Sequence, residues 1–312
     1  MPALGLRGMP PRGKPADLVP YVRPEAIHTA MSRVPSLRLV LVAAVALIAA
    51  VPRVPAQTLG VPLGAFVETG GGAGFILALS NGNVLVFEGG GRINAYDSEG
   101  ASLGFFSFGV PLTQLSDGRV LVYLDPNVNV HQPDGTYIGR FIAGLNEPWD
   151  ATQLADGRVL IAEYGTTGDG RISSFDPDGT PRGAFAPDMI RPTAVLALQD
   201  GRVLVWENGR AQVSAFATDG TPLGVFRRLS GFVGALAQLP DGRILTAGLG
   251  AQGLPGEVLV FDPDGTYLGP LTEGLGSPFG ITVHPDGRVL VVDMDDDTVY
   301  VYELRPPVAG EP

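Results

Sequence analysis

"DGRVL" spans residues 117–121 and returns at Asp156, Asp200 and Asp286, with Ile for Val at Asp241 and the variant "NGNVL" at Asn81. The spacing, about 40 residues, is that of propeller blades and solenoid repeats. Each copy follows an apolar or alternating segment such as "TAVLALQ" (residues 193–199) and leads into a β-branched run such as "RVLVWE" (residues 202–207). Two short strands around Asp-Gly or Asn-Gly make a hairpin, because those dipeptides accept the positive φ of a primed turn.

A second phrase trails the first. "QPDGTYIGRF" (132–141), "DPDGTPRGAF" (176–185), "ATDGTPLGVF" (217–226) and "DPDGTYLGPL" (262–271) are further Asp-Gly turns feeding another strand, with "DSEGASLGFF" (97–106) as a divergent copy. Each unit is therefore four strands, and none has helical spacing. The last unit ends on "DDTVYVYEL" (296–304) without a fourth strand, while "GVPLGAF" (60–66) reads like "GTPLGVF" (220–226). The predicted fold is all-β: a six-bladed β-propeller of four-stranded antiparallel blades, its last blade closed by the N-terminal strand so that no sheet edge is left over.

Composition agrees with short strands and many turns, with Gly 44, Pro 28 and 45% apolar residues. Cysteine is absent, which excludes a disulfide framework, a thiolate metal site and a cysteine nucleophile. Of 21 basic and 32 acidic residues, 7 and 2 precede Gln57, so 14 arginines face 30 carboxylates beyond it. That balance argues against nucleic acid or an anionic bilayer as partner of the folded part.

Residues 31–56 have the layout of a secretory signal: Arg33 and Arg38, then an apolar run over 39–51, then Val54, Pro55 and Ala56 before Gln57. The run is shorter than the roughly 20 residues of a spanning helix. Residues 1–30 are Pro-rich without periodicity, and read either as an untranslated stretch ahead of a start at Met31 or as a disordered extension. The expected organisation is an extension (1–30), a signal (31–56) and a propeller (57–312), exported to the periplasm or beyond. The alternative is a tether formed by an uncleaved signal. The mature form is expected to be a monomer without a membrane span.

In a four-stranded blade the "DGR" and "PDG" turns share one face, made uniform by repetition. Second-to-third-strand loops and inter-blade loops share the other, where individuality is concentrated. On that variable face the second strands end in Glu88, Glu163, Glu207 and Asp293, with Asp125 one residue later in blade two and Gly248 in blade five. Carboxylates around a channel are a ligand set for a hard divalent cation, Ca²⁺ or Mg²⁺, or an acid/base pair. The competing reading is four turn caps. The loop "LNEPWDATQL" (145–154) is more individual: Asp150 stands where other blades have Phe75, Pro111, Ala194, Ala235 and Gly280. With Glu147, Trp149 and Arg191 from the next loop, it makes a candidate site for a small polar ligand. An Asp150–Arg191 ion pair between blades is the structural alternative.

Other motifs yield less. "DMDDDT" (293–298) lacks the Gly and Glu of a calcium loop and reads as a solvated turn. "GLGAQG" (248–253) matches a dinucleotide fingerprint but links two strands, leaving no helix terminus for a phosphate. His131 and His284 are too far apart in blade order to cooperate, and no nucleophile elbow accompanies them.

"PFGITVHPDGRVLVVDMDDDTVYVYE" (278–303) resembles an NHL repeat, with its Pro-x-Gly-Ile entry, Asp-Gly hairpin and β-branched run ending in Asp293. The resemblance covers about residues 60–304 and implies a binding-type propeller. Similar rings include the gluconolactonase and senescence-marker family, streptogramin lyase and peptide-amidating lyases. The first implies a metal held by acidic and asparagine side chains, with Asn-Gly where this chain has Phe279-Gly280. The lyases imply histidines near the channel. The reading is therefore an exported NHL-like module that binds a protein or small polar ligand through its variable face. The alternative is a metal-assisted hydrolase, lactonase or lyase using the channel carboxylates.

Overall fold

The structure, a computed structural model, describes residues 58–165, 170–250 and 255–305. The extension, the signal and their boundaries lie outside the described residues, as does part of the "GLGAQG" stretch. Among the described residues 24 strands form six four-stranded sheets. Blade one is Ile76–Ala78, Val84–Glu88, Arg92–Tyr96 and Ser102–Phe108. Blades two to five open with Val110–Gln114, Pro148–Gln153, Pro192–Ala197 and Phe232–Gln238. Blade six combines Pro278–Val283, Val289–Asp293 and Thr298–Leu304 with the N-terminal strand Gly60–Glu68. That closing pair is antiparallel, running from Gly60 opposite Leu304 to Glu68 opposite Thr298. The sequence-derived architecture is the observed one.

Among the described residues no blade holds a core of its own. Leu245, Val258 and Val260 of blade five pack against Ile281, Val289 and Val291 of blade six, and each of the other five junctions repeats this arrangement. The second strands "VLVFE", "VLIAE", "VLVWE" and "VLVVD" are buried at every residue, because neighbouring blades cover both faces. The fourth strands form the exposed rim.

The repeated turns carry contacts that the hairpin reading leaves unassigned. Asp117 accepts the Arg119 N–H at 3.1 Å and its Nε at 2.8 Å, which aims the guanidinium at the Pro177 carbonyl of the next blade, 2.9 Å away. Arg158 reaches Thr218 O at 2.7 Å, Arg202 reaches Pro263 O at 2.6 Å and Arg288 reaches Ser98 O at 2.7 Å. "DGR" is thus a hairpin and a blade-to-blade latch in one. These contacts also place the two turn families on one face.

The "PDG" glycine serves the same junctions. Gly179 has φ +89°, and a Cβ there would lie 2.2 Å from the Phe141 carbonyl oxygen of the preceding blade. Gly100, Gly135, Gly220 and Gly265 meet Phe66, Phe106, Phe185 and Phe226 in the same way. Gly287, in a first hairpin, has φ +90° but nothing among the described residues within 4 Å of such a Cβ.

These two environments separate backbone strain from steric conflict. Gly287→Ala should cost about 1 kcal/mol, the left-handed backbone term alone. Gly179→Ala adds a collision with backbone and should cost about 3 kcal/mol. Urea denaturation midpoints of the two variants check the order; equal losses would show that Gly179 is not held by its neighbour.

Candidate functional site

The acids that end the second strands sit opposite the prolines that open the first strands: Glu163 pairs with Pro148, Glu207 with Pro192 and Asp293 with Pro278. Each carboxylate turns to the N–H groups of the loop leading into its own blade. Glu163 accepts from Asn146 at 2.9 Å, Glu207 from Ile190 at 3.3 Å, and Asp293 from Gly276 at 2.7 Å and Ser277 at 2.8 Å. The remaining valence goes to side chains. Arg171 binds Glu163 through Nε and Nη2 at 2.8 and 2.9 Å, alongside the Ser173 hydroxyl. Glu207 holds Arg210, Ser214 and Gln212, and Glu88 accepts the Tyr96 hydroxyl at 2.5 Å.

Glu88, Glu163, Glu207 and Asp293 are each engaged within their own blade, and among the described residues no three His, Asp or Glu side chains gather closely enough to hold one ion. They do not fit a shared Ca²⁺ or Mg²⁺. Burying a carboxylate requires hydrogen bonds, and the loop N–H groups supply them locally. Asp125, in blade two, accepts the Tyr123 hydroxyl at 3.2 Å. Nor is "DMDDDT" simply solvated: Asp297 accepts the Gly72 N–H at 2.6 Å and its carbonyl accepts the Thr69 N–H at 2.9 Å, pinning the linker into blade one.

The second candidate group does converge. Trp149 stacks on Tyr164 with ring centroids 5.5 Å apart and planes at 26°, and the Arg191 guanidinium lies 5.9 Å from the Tyr164 centroid. Trp149 also meets Phe75 at 6.2 Å and Phe232 at 5.9 Å, while Phe279 meets Phe75 at 5.3 Å and Phe232 at 5.8 Å. Four rings from blades one, three, five and six thus form a closed cycle across the channel at the variable face. Glu147 and Arg191, each preceding an entry proline, hold φ of 53° and 55°, a costly conformation for side-chain-bearing residues. Oε2 of Glu147 is buried and finds no partner among the described residues.

Asp150 lies next to Trp149, where a bulge interrupts the pairing of the first two strands between Pro148 and Asp150. Bulges re-aim side chains, and this one delivers the carboxylate to the channel. Its two oxygens accept the Ala151 N–H at 2.8 Å and the Val195 N–H of blade four at 2.9 Å. The expected ion pair with Arg191 is not formed; Asp150 binds backbone instead. Desolvation pushes its pKa up to about 7, with the two N–H groups opposing the rise. The side chain is half-buried and lines the central channel. That cavity, about 260 Å³, runs from Phe75, Trp149 and Gly280 to Thr113, Thr152 and Gln238.

The sequence reading placed Glu147, Trp149, Asp150 and Arg191 together but missed Phe232 and Tyr164 and gave Phe75 and Phe279 no role. A signal existed for three of them: Phe75, Phe232 and Phe279, like Trp149, stand within three residues of the position Asp150 fills. The histidines stay apart. His131 Nδ1 lies 3.1 Å from Gly135 O, and His284 Nε2 lies 2.9 Å from Gly82 O of blade one.

No protein-family model and no curated protein matches the chain. Solved structures do. A gluconolactonase from Xanthomonas campestris superposes with a TM-score of 0.63 at 16% identity, covering 77% of this chain and 89% of that one. The calcium-binding protein regucalcin from Agrobacterium tumefaciens gives 0.63 at 14% identity, over 77% and 93% of the two chains. A streptogramin B lyase gives 0.57 at 13%, over 79% and 98%. At such identities the likeness establishes what these proteins share with this chain, the six-bladed propeller fold.

Proposed function

We propose that the protein converts a small molecule at its channel mouth, as a hydrolase of the lactonase type or a lyase, with Asp150 as the acid/base group. One observation carries the reading. Five blades complete the same strand with Phe75, Pro111, Ala194, Ala235 or Gly280, so the fold does not require a carboxylate there. Asp150 departs from its repeat at a position that lines the channel, and among the described lining residues it is the one carboxylate.

The chemistry follows from its acidity. A group with a pKa near the working pH is populated in both protonation states, the optimum for transferring a proton. As carboxylate, Asp150 takes a proton from water attacking an acyl carbon, or from the carbon next to a leaving group. As carboxylic acid it returns that proton to the departing oxygen. Trp149, Phe75 and Phe232 offer the substrate an apolar platform, and Arg191, held over Tyr164, brings positive charge to the same rim. The solved gluconolactonase and lyase add a fold-level analogy. Export by residues 31–56, a monomeric state and the NHL assignment of the repeats belong to the same proposal.

A second reading is a ligand-binding module without turnover. It is favoured by the engagement of both Asp150 oxygens in backbone hydrogen bonds, one to Ala151 and one joining blade three to Val195 of blade four.

Turnover of a panel of lactones, esters and eliminable substrates separates the two. The enzyme reading predicts activity that rises through about pH 7 and falls about 100-fold or more in Asp150→Ala. Saturable binding without turnover, retained in that variant, leaves the binding module standing and removes the enzyme.

Asp150 also sets a pH dependence of stability that needs no substrate. Its folded pKa lies above the unfolded value of about 4. Between about pH 4 and 7 the native state therefore keeps a proton that the unfolded state releases, and stability is lost as pH rises through that window. Thermal melts across pH 4 to 8 should show wild type losing more stability than Asp150→Ala as pH rises; parallel curves would place the carboxyl in ordinary solvent.

A further inference from the structure

Four blades end their second strand with an acid that stands opposite a polar residue at the start of the third: Glu88 with Arg92, Glu163 with Arg171, Glu207 with Gln212 and Asp293 with Thr298. In blades three, four and six that carboxylate also accepts the N–H two residues ahead of the entry proline, from Asn146, Ile190 or Gly276. Blade two places Leu124 there, opposite Asn127. Blade five departs at every point. Gly248 stands where the acid belongs, opposite Glu257, and the corresponding N–H, that of Gly231, finds no acceptor among the described residues. Two residues earlier, Thr246 takes the place of Val86, Val122, Ile161, Val205 and Val291. Its partner on the third strand is Leu259, where the other blades have Asn94, Asn129, Ser173, Ser214 and Tyr300.

These departures share one face. Side chains alternate along a strand and paired residues point the same way, so residues 246, 248, 257 and 259 lie together on one side of blade five. Between them and the end of blade four is a cavity of about 410 Å³. Leu229, Phe232, Val233, Leu249 and Leu259 give it apolar walls. Thr246 lines it too, is 2% exposed and has no hydrogen-bond partner among the described residues. Arg228 and Glu257 stand exposed at its rim, and neither forms an ion pair among the described residues. A Cβ on Gly248 would lie 2.6 Å from the Phe232 carbonyl oxygen, so the chain does not refill the place with a side chain of its own. The cavity meets the aromatic cycle through Phe232 but shares no lining residue with the channel around Asp150.

We infer that this cavity is a second binding site, separate from the channel, for an amino acid zwitterion with an apolar side chain. The ligand brings the carboxylate that the repeat omits in blade five. Donors for it are the Gly231 N–H, the Thr246 hydroxyl and the Arg228 guanidinium, the same kinds of group that satisfy Glu163 in blade three: a loop N–H, a hydroxyl and an arginine. Burying a carboxylate requires such partners, and charge-assisted bonds are the strong ones. Glu257 takes the ammonium group. A simple anion would be repelled by Glu257 and a simple cation by Arg228, so the pair selects a molecule that carries both charges. The leucine and valine walls take the side chain.

Calorimetric titration of the full chain with L-leucine, 4-methylpentanoate and 3-methylbutylamine tests this. The second probe lacks the ammonium group and the third lacks the carboxylate. Leucine should bind, and each of the other two should bind about tenfold or more weakly, the loss expected for one charged hydrogen-bonding group. Thr246→Val installs the residue that four other blades carry at this position, which keeps the fold, and should weaken leucine about tenfold. Arg228→Gln alters an exposed side chain and should do the same. No leucine binding, equal affinity for the three probes, or an affinity unchanged in both variants would overturn the assignment. Leucine that instead lost affinity in Asp150→Ala would sit in the channel, and the second site would fall with it. Thermal melts confirm that each variant is folded.

Discussion

The structure depends on ring closure. Every apolar cluster lies between two blades, so a blade released from the ring loses two cores at once and retains none. The pairing of Gly60–Glu68 with Thr298–Leu304 is the only covalently unlinked strand contact within any sheet of the described residues. It converts a linear array into a cooperative whole. Burial of β-branched second strands on both faces, the latches and the channel itself all presuppose that the ends have met.

Repetition in this chain serves those junctions. The Asp of "DGR" orients the Arg, the Arg reaches the next blade, and the "PDG" glycine admits the carbonyl of the previous one. Such contacts must recur in the same form because the junctions recur. The channel mouth obeys the opposite rule. Asp150, Trp149, Phe75, Phe232 and Phe279 occupy one region of the fold with different residues from blade to blade, and only a site unconstrained by the repeat can vary in this way.

The acidic residues show how the two rules can be confused in a sequence. Glu163, Glu207 and Asp293 recur near the channel end of their strands and resemble a ligand set. Their recurrence belongs to the entry prolines opposite them and to the loop N–H groups they bind. Asp150, which occurs once, is the carboxylate that the channel receives.

The sequence by itself determined the blade count, the four-strand unit and the strand that closes the ring, because these follow from local turn chemistry and from a period that survives in every copy. It also placed Glu147, Trp149, Asp150 and Arg191 in one neighbourhood, since adjacent inter-blade loops must share a face. Only the tertiary structure decided where each charge is neutralised. Whether Asp150 meets Arg191 or the Val195 N–H, and whether Glu163 faces an ion or its own loop, depends on distances across blades that a period of about 40 residues does not encode. The aromatic cycle was hidden for the same reason: its members are separated along the chain and meet because six first strands converge on one axis.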